Sequence, residues 1–443
     1  MQTLICLLLL CGMVVPSKAA GNPNVVFIIS DDQAWTDYGF MGHPEVETPH
    51  LDKLSRQSLT FTHGYVPTSL CCPSLAALLT GKFPHETKVT GNEPPRPRDA
   101  NGKPSSQAYQ DPGFLEQVAT LNGFITAHPR LPAELAKAGY LSFQSGKWWA
   151  GNFSSGGFTH GMSHGSAAKG GRHGDVGLEI GRKTLQPIFD FLAEAQRQQR
   201  PFFLWYAPML PHQPHDPPPR LLEKYQKRTP SLPVAKYWAM CELFDETCGQ
   251  LLTHLEQQNL ADHTLVVFLS DNGWIQDPER PRFRADSKLS QYDGGLRTPI
   301  LIRWPGRVTP EINATPVSSV DLAPTIYRAA GLAVPAGLSG INLLDAAAVR
   351  RRSPVFGECF LHNAVDIQNP AANLTYRWCV AGDWKLILPN AANIAAPNKP
   401  GRSIGPELYD LARDPLEDKN LADEKPEKVR ELTGRIDAWW KPQ

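Results

Sequence analysis

Two pairs of oxygen-bearing side chains close two apolar runs of the chain: Asp31 and Asp32 in IISDDQ, and Asp271 and Asn272 in FLSDNG. Carboxylates and amide carbonyls without an accompanying imidazole or thiolate suit a hard cation, Ca²⁺ ahead of Mg²⁺, over zinc. Either pair alone could equally be a strand-end turn or a helix cap, since Asp and Asn serve both purposes. Two matching pairs point to a metal site. Between them lies TSLCCPSLAALLTGKFPHE, in which Pro73 suits a first helical turn, the stretch from Ser74 to Leu79 has helical character, and Gly81 is a stop. Cys71 therefore falls just before a helix N-terminus, where unpaired amides and the helix dipole favour an anion and depress a thiol pKa. The alternative is an inert, buried Cys71–Cys72 pair.

These groups need elements to carry them. Segments 24–30, 140–144, 202–206, 264–270 and 298–304 read as short buried strands, and 132–138, 181–196 and 234–257 as helices. Continuous apolar runs alternating with helices predict an α/β fold with a largely parallel central sheet flanked by helices on both faces. Four of the strands are followed by a polar group able to do chemistry: Asp31 and Asp32, Lys147, His212, and Asp271 with Asn272. The carboxyl edge of such a sheet is where ligands bind, so four segments converge on one crevice.

From about residue 353 the texture changes. Segments 377–388 and 407–411 read as strands of a small antiparallel sheet and 426–440 as a closing helix, so 22–348 is expected to form the main domain and 353–443 a smaller C-terminal α+β domain, with Arg350 to Arg352 at the boundary. The apolar run 4–15 is too short to span a bilayer and has the length of a signal-peptide core; with Ser17 and Ala19 behind it, 1–19 reads as a leader and the protein as exported. The chain has 443 residues, with 44 Lys and Arg against 44 Asp and Glu, interspersed, which excludes a global field for nucleic acid or anionic lipid. Of the eight cysteines, Cys6 and Cys11 lie in the leader. Cys241 and Cys248 share one helix about 10.5 Å apart, too far for a disulfide, and are expected as core thiols. Cys359 and Cys379 are the expected pair, if any forms.

The motifs taken together resemble the sulfatase family of the alkaline-phosphatase-like group: NVVFIISDDQAWTDYG, the cysteine segment, LAKAGYLSFQSGKWWAG, APMLPHQPHDPP, TLVVFLSDNGW, KLSQYDGGLRTPILIRWPG and ELYDLARDPLEDKNLAD. The resemblance implies that Cys71 is oxidised by a maturation enzyme to formylglycine, whose hydrate attacks sulfur, releases the alcohol, and then expels sulfate. It implies Asp31, Asp32, Asp271 and Asn272, with the side chain at 71, as ligands of one Ca²⁺. Lys147, His212 and Lys288 become the sulfate-binding and acid/base groups. The expected function is hydrolysis of sulfate esters, of a sulfated carbohydrate ahead of a small aryl sulfate.

Two positions depart from the family pattern. Leu75 stands where an arginine is usual, and Trp149 stands where Gly-Lys-Trp-His is usual; neither can supply the missing hydrogen bonds or charge. A Gly-rich stretch soon after carries His160, His164 and His173, and closeness along the chain to Lys147 points to His160 or His164 as the replacement, unless the stretch is ordinary solvated loop. Two other readings stand beside the first. One is a phosphate or phosphonate ester hydrolase of the same superfamily. The other, suggested by Leu75 and Trp149, is a non-catalytic binding protein that kept the fold.

Overall fold

The computed structural model describes residues 21–99, 101–165, 173–394, 398–399 and 404–442. The expected leader lies outside them, and among the described residues no helix is long and apolar enough to cross a membrane. Nine strands form the main sheet: β1 (Asn24–Ser30), β2 (Leu59–Tyr65), β3 (Leu141–Gly146), β4 (His160–Gly161), β5 (Phe202–Ala207), β6 (Thr264–Ser270), β7 (Arg297–Arg303), β8 (Glu311–Asn313) and β9 (Val317–Ser318). Their order is β4-β3-β5-β1-β6-β7-β2-β8, with β9 also on β2. From β4 to β6 every neighbour is parallel; β7 runs antiparallel to both β6 and β2. The five strands expected from apolar runs are present. β2 was not expected, because LTFTHGY mixes buried and half-exposed positions and carries Thr, His and Gly where the others are continuously apolar.

The pleat divides the core in two. Val25, Phe27 and Ile29 join Phe203, Trp205, Leu265, Val267 and Ile300 on one face, under helices α1 (Cys71–Thr80) and α2 (Leu131–Lys137). Val26 and Ile28 join Leu204, Tyr206, Val266, Phe268 and Leu301 on the other, under α3 (Gln186–Arg197) and α4 (Leu232–Gln257). Cys241 and Cys248 are buried thiols on α4.

A second sheet, fully antiparallel, has the order β10 (Val355–Phe360), β11 (Leu374–Ala381), β12 (Trp384–Pro389), β13 (Glu407–Asp410), and α5 (Pro426–Trp439) closes it. The stretch expected as one strand over 377–388 is a hairpin that turns at Gly382, whose φ is +59°. The expected Cys359–Cys379 pair is corrected. Cys359 lies opposite Tyr376 and Cys379 opposite Phe356, an odd offset that sends the two side chains to opposite faces of the sheet. Cys359 meets Ser69 and the Ser290 carbonyl, whereas Cys379 packs with Leu432 and Ile436 of α5, and both are free thiols. Asn373, in an Asn-Leu-Thr glycosylation sequon, is buried and spends its amide on Thr90 and the Asp366 carbonyl.

The two sheets are joined by a buried ionic cluster. Lys385 of β12 lies 2.7 Å from Asp293 and 2.7 Å from Glu417, the Asp293 amide donates to Glu417, and Tyr65 of β2 donates to Asp293. Removing one member of such a cluster strands buried charge, at about 3–5 kcal/mol. Lys385→Met is therefore expected to lower the melting temperature in a thermal-shift measurement, while dithiothreitol leaves it unchanged. A variant as stable as wild type would show that this cluster does not hold the sheets together.

Candidate active site

The register of β1 against β6 pairs Ser30 with Ser270, so the residues that follow emerge side by side at the carboxyl edge. The Asp271 amide donates to the Ser30 carbonyl (2.9 Å), and the Asp32 amide donates to the Asp271 carboxylate (3.1 Å). Asp32 takes a left-handed backbone, φ +64°, which turns its carboxylate back beside that of Asp31. From the neighbouring strand pair comes Lys147. Gly146 before it has φ +79°, and a Cβ there would lie 1.9 Å from the Ala207 carbonyl oxygen, the same atom that accepts the Lys147 amide at 2.6 Å. That close approach of β3 to β5 aims the lysine across the edge.

The ammonium of Lys147 lies 2.5 Å from Asp31 and 3.4 Å from Asp271; that of Lys288 bonds both oxygens of Asp32, at 2.7 and 2.6 Å. The Lys288 loop is tied to the cysteine segment by the Leu289 amide, which donates to the Ser69 carbonyl. His212, after β5, has Nε2 3.4 Å from Asp32. Its Nδ1 lies 2.6 Å from the Gln213 carbonyl, and since a carbonyl only accepts, Nδ1 carries a proton. Cys71 is the first residue of α1 and is buried, with one ligand atom from each of Asp31, Asp32 and Cys71 lying within 4.8 Å of one another. The structure thus brings Asp31, Asp32, Cys71, Lys147, His212, Asp271, Asn272 and Lys288 to one place.

His160 and His164 are placed elsewhere. β4 pairs parallel with β3, leaving His160 opposite Phe143 at the sheet edge, with its ring against Phe191 and near Glu194 of α3. His164 rests on Phe153 and gives its backbone amide to Asp175. Sheet pairing outweighs closeness in sequence to Lys147. Asn92, which sequence reasoning missed, accepts the Cys72 amide at 3.0 Å; its segment carries no motif that would have drawn attention. Trp274 and Trp35 each have a cationic side chain over the ring. The first is buried beneath Lys288, and the second is covered by the Arg297 guanidinium at 3.9 Å, while Arg297 also donates to the Thr62 carbonyl.

Crowded charge sets the electrostatics. Burial raises the Asp31 carboxyl despite Lys147, and burial together with Asp31 pushes Asp271 up to about 7. Burial works the same way on Asp32, but Lys288 and His212 outweigh it and hold that carboxyl below its ordinary range. Burial lowers His212 to about 3. Cys71 is corrected: burial pushes the thiol up to about 11 against the pull of Lys147 and Lys288, so the helix N-terminus does not make it a thiolate. Asp31 Oδ2 and Asn272 Oδ1 are buried acceptors with no hydrogen-bond partner. Two orphaned oxygens amid three carboxylates form a donor set that fits a hard divalent cation.

Leu75 and Trp149, the two departures, belong to a single apolar cluster with Cys72, Trp148 and Phe158. The wall beside the cysteine helix is hydrocarbon where a guanidinium and an imidazole were expected.

A family model described as Sulfatase matches residues 23–332, and one described as N-sulphoglucosamine sulphohydrolase, C-terminal, matches 285–438. The chain belongs to the sulfatase family. It is 31% identical to human arylsulfatase A over 76% of this chain and 69% of that protein. With the N-acetylgalactosamine-6-O-sulfatase of Bacteroides thetaiotaomicron it shares 24% identity over 94% of this chain and 93% of the relative. Among solved structures, one in complex with its substrate D-glucosamine-2-N,6-O-disulfate superposes with a TM-score of 0.70 at 20% identity, covering 94% of this chain and 97% of the other. As a sulfatase the protein is a sulfuric ester hydrolase, and its fold is that of its structural neighbours.

The orphaned oxygens of this sulfatase generate a test with a definite pH sign. Asp271 titrates near 7 when folded against 3.8 for the free side chain, so without cation the folded form retains a proton that the unfolded chain releases. Its contribution to stability is then lost as pH rises through about 7. A cation that displaces this proton reverses the trend. Added Ca²⁺ is expected to raise the melting temperature more at pH 8 than at pH 5, and Asp271→Ala is expected to abolish the effect. Equal shifts in wild type and variant would remove Asp271 as a ligand.

Proposed function

We propose that this sulfatase hydrolyses sulfate esters on a carbohydrate, with the residue at position 71 as nucleophile after oxidation to formylglycine. Asp31, Asp32, Asp271, Asn272 and the side chain at 71 would hold Ca²⁺, which supplies charge neutralisation for a sulfuryl group. The observation that carries the reading is the convergence of the Lys147 and Lys288 ammoniums on the carboxylates around Cys71 in a buried pocket. Burial supports the need for modification: a thiol that titrates near 11 stays protonated at neutral pH and is a poor nucleophile. Support for a sugar comes from relatives, one an N-acetylgalactosamine-6-O-sulfatase and one solved with a sulfated glucosamine. The same reading takes 1–19 as a leader and the protein as exported.

The chain's own groups divide the work. Lys147 and Lys288 neutralise the transferring group, and neither can leave its carboxylate partner far behind because both are buried. The Gln213 carbonyl fixes the His212 tautomer and ring plane, and His212, neutral on its own at pH 7, protonates the leaving oxygen only once Nε2 has taken up a proton. Cys72 has a different role. Its amide is bonded to Asn92, and its side chain packs in the apolar cluster with Leu75.

Cys71→Ala is expected to abolish hydrolysis of N-acetylgalactosamine 6-sulfate, and Cys72→Ser to retain most of it. Peptide mass spectrometry of active protein should find an aldehyde in place of the thiol at position 71. Normal turnover by folded Cys71→Ala, or an active protein with an intact thiol at 71, would end this reading.

A further inference from the structure

The family histidine missing at Trp149 leaves the wall of the pocket without a donor. Trp149 does not fill the role: it is buried in the apolar cluster, its ring tilted at 45° with its centroid 4.7 Å from that of Trp148, and its indole nitrogen makes no hydrogen bond. Another histidine stands close by. The carbonyl of His173 accepts the backbone amide of Trp148 at 2.8 Å, which anchors residue 173 directly beside Lys147. The turn that follows packs backbone on backbone. A Cβ on Gly174, whose φ is +125°, would lie 2.5 Å from the Gly146 carbonyl oxygen and 3.1 Å from the Trp148 amide nitrogen. Ser163, fully buried, donates to the Gly174 carbonyl at 2.7 Å. The partly buried ring of His173 has its centroid 6.4 Å from that of the His212 ring, at 51°, and His212 in turn lies 3.4 Å from Asp32. That gap is too wide for a direct bond between the rings. It leaves room for one oxygen that accepts from the His173 ring at about 2.8 Å.

We infer that His173 is a substrate-contacting residue of this sulfatase, donating a hydrogen bond to an oxygen of the sulfate ester in place of the histidine absent at position 149. The donor arrives from the far end of the Gly-rich stretch, where the backbone bond to Trp148 holds it, and not from His160 or His164. Because the anchor is a backbone contact, truncating the imidazole leaves the turn in place. The inference rests on reading the pocket as a sulfate-ester site.

The experiment measures two quantities on purified protein: kcat and KM for 4-nitrophenyl sulfate, and the dissociation constant of inorganic sulfate by calorimetry, with melting temperature as the check on folding. His173→Ala is expected to weaken sulfate binding by about tenfold or more, the scale of one lost hydrogen bond to a charged group. It should lower kcat/KM by about 10²–10⁴, with the melting temperature preserved, and His173→Gln, which keeps an N–H donor, should recover part of both. His160→Ala and His164→Ala are expected to leave both at wild-type values. Wild-type sulfate binding and turnover in folded His173→Ala would overturn the inference, as would the absence of saturable sulfate binding by the wild type. Should the wild type bind sulfate through His173 yet hydrolyse no sulfate ester, the contact stands and the reading of the reaction falls.

Discussion

Three carboxylates cannot share a dry pocket unless positive charge is brought to them, and the site is organised around that constraint. Asp31 and Asp32 follow one strand and Asp271 the next, so pairing the two strands forces the carboxylates together. Two lysines from separate segments answer them, each bonded directly to a carboxylate. Two acceptor oxygens still lack partners. The pocket is thus left with negative charge and open coordination after its own lysines have been used, which is the condition for holding a divalent cation and a sulfuryl group together.

The positioning elements follow from close backbone approach. Lys147 crosses the sheet edge because Gly146 lets β3 touch β5, and the Lys288 loop is bonded to the cysteine segment through Ser69 and Leu289. Where the two sheets meet, the same physics recurs. Lys385 serves Asp293 and Glu417 in a dry cluster, so the small sheet is fixed to the large one by charge as well as by packing. Arg297 adds to this frame, bonding the Thr62 carbonyl and covering Trp35.

What the residues disclosed on their own was whatever depends on local pattern. Continuous apolar runs gave away the parallel strands, and the polar residues behind them marked the crevice. Lys288 follows no such run and was visible only through resemblance. β2 was hidden by its mixture of buried and half-exposed positions. The Cys359–Cys379 expectation failed on register parity, a property of two strands jointly. His160 and His164 were favoured by distance along the chain, yet β4 pairs with β3 and carries His160 away, while a later turn brings His173 back. The thiol pKa was misjudged because a helix N-terminus can be read from sequence and complete burial cannot.

All ten residues of the helix that opens with Cys71 are buried, with Leu75 in the apolar cluster below it. An enzyme that oxidises the thiol could not grip this segment in the finished protein. If position 71 is oxidised as proposed, modification and folding would compete in time, and the winner would be decided while the chain is still open. A leucine at position 75 weights that race toward folding, since its burial stabilises the closed helix where an arginine would have to be desolvated. The fraction of molecules that become active would then be set by the rate at which this chain closes over its own cysteine.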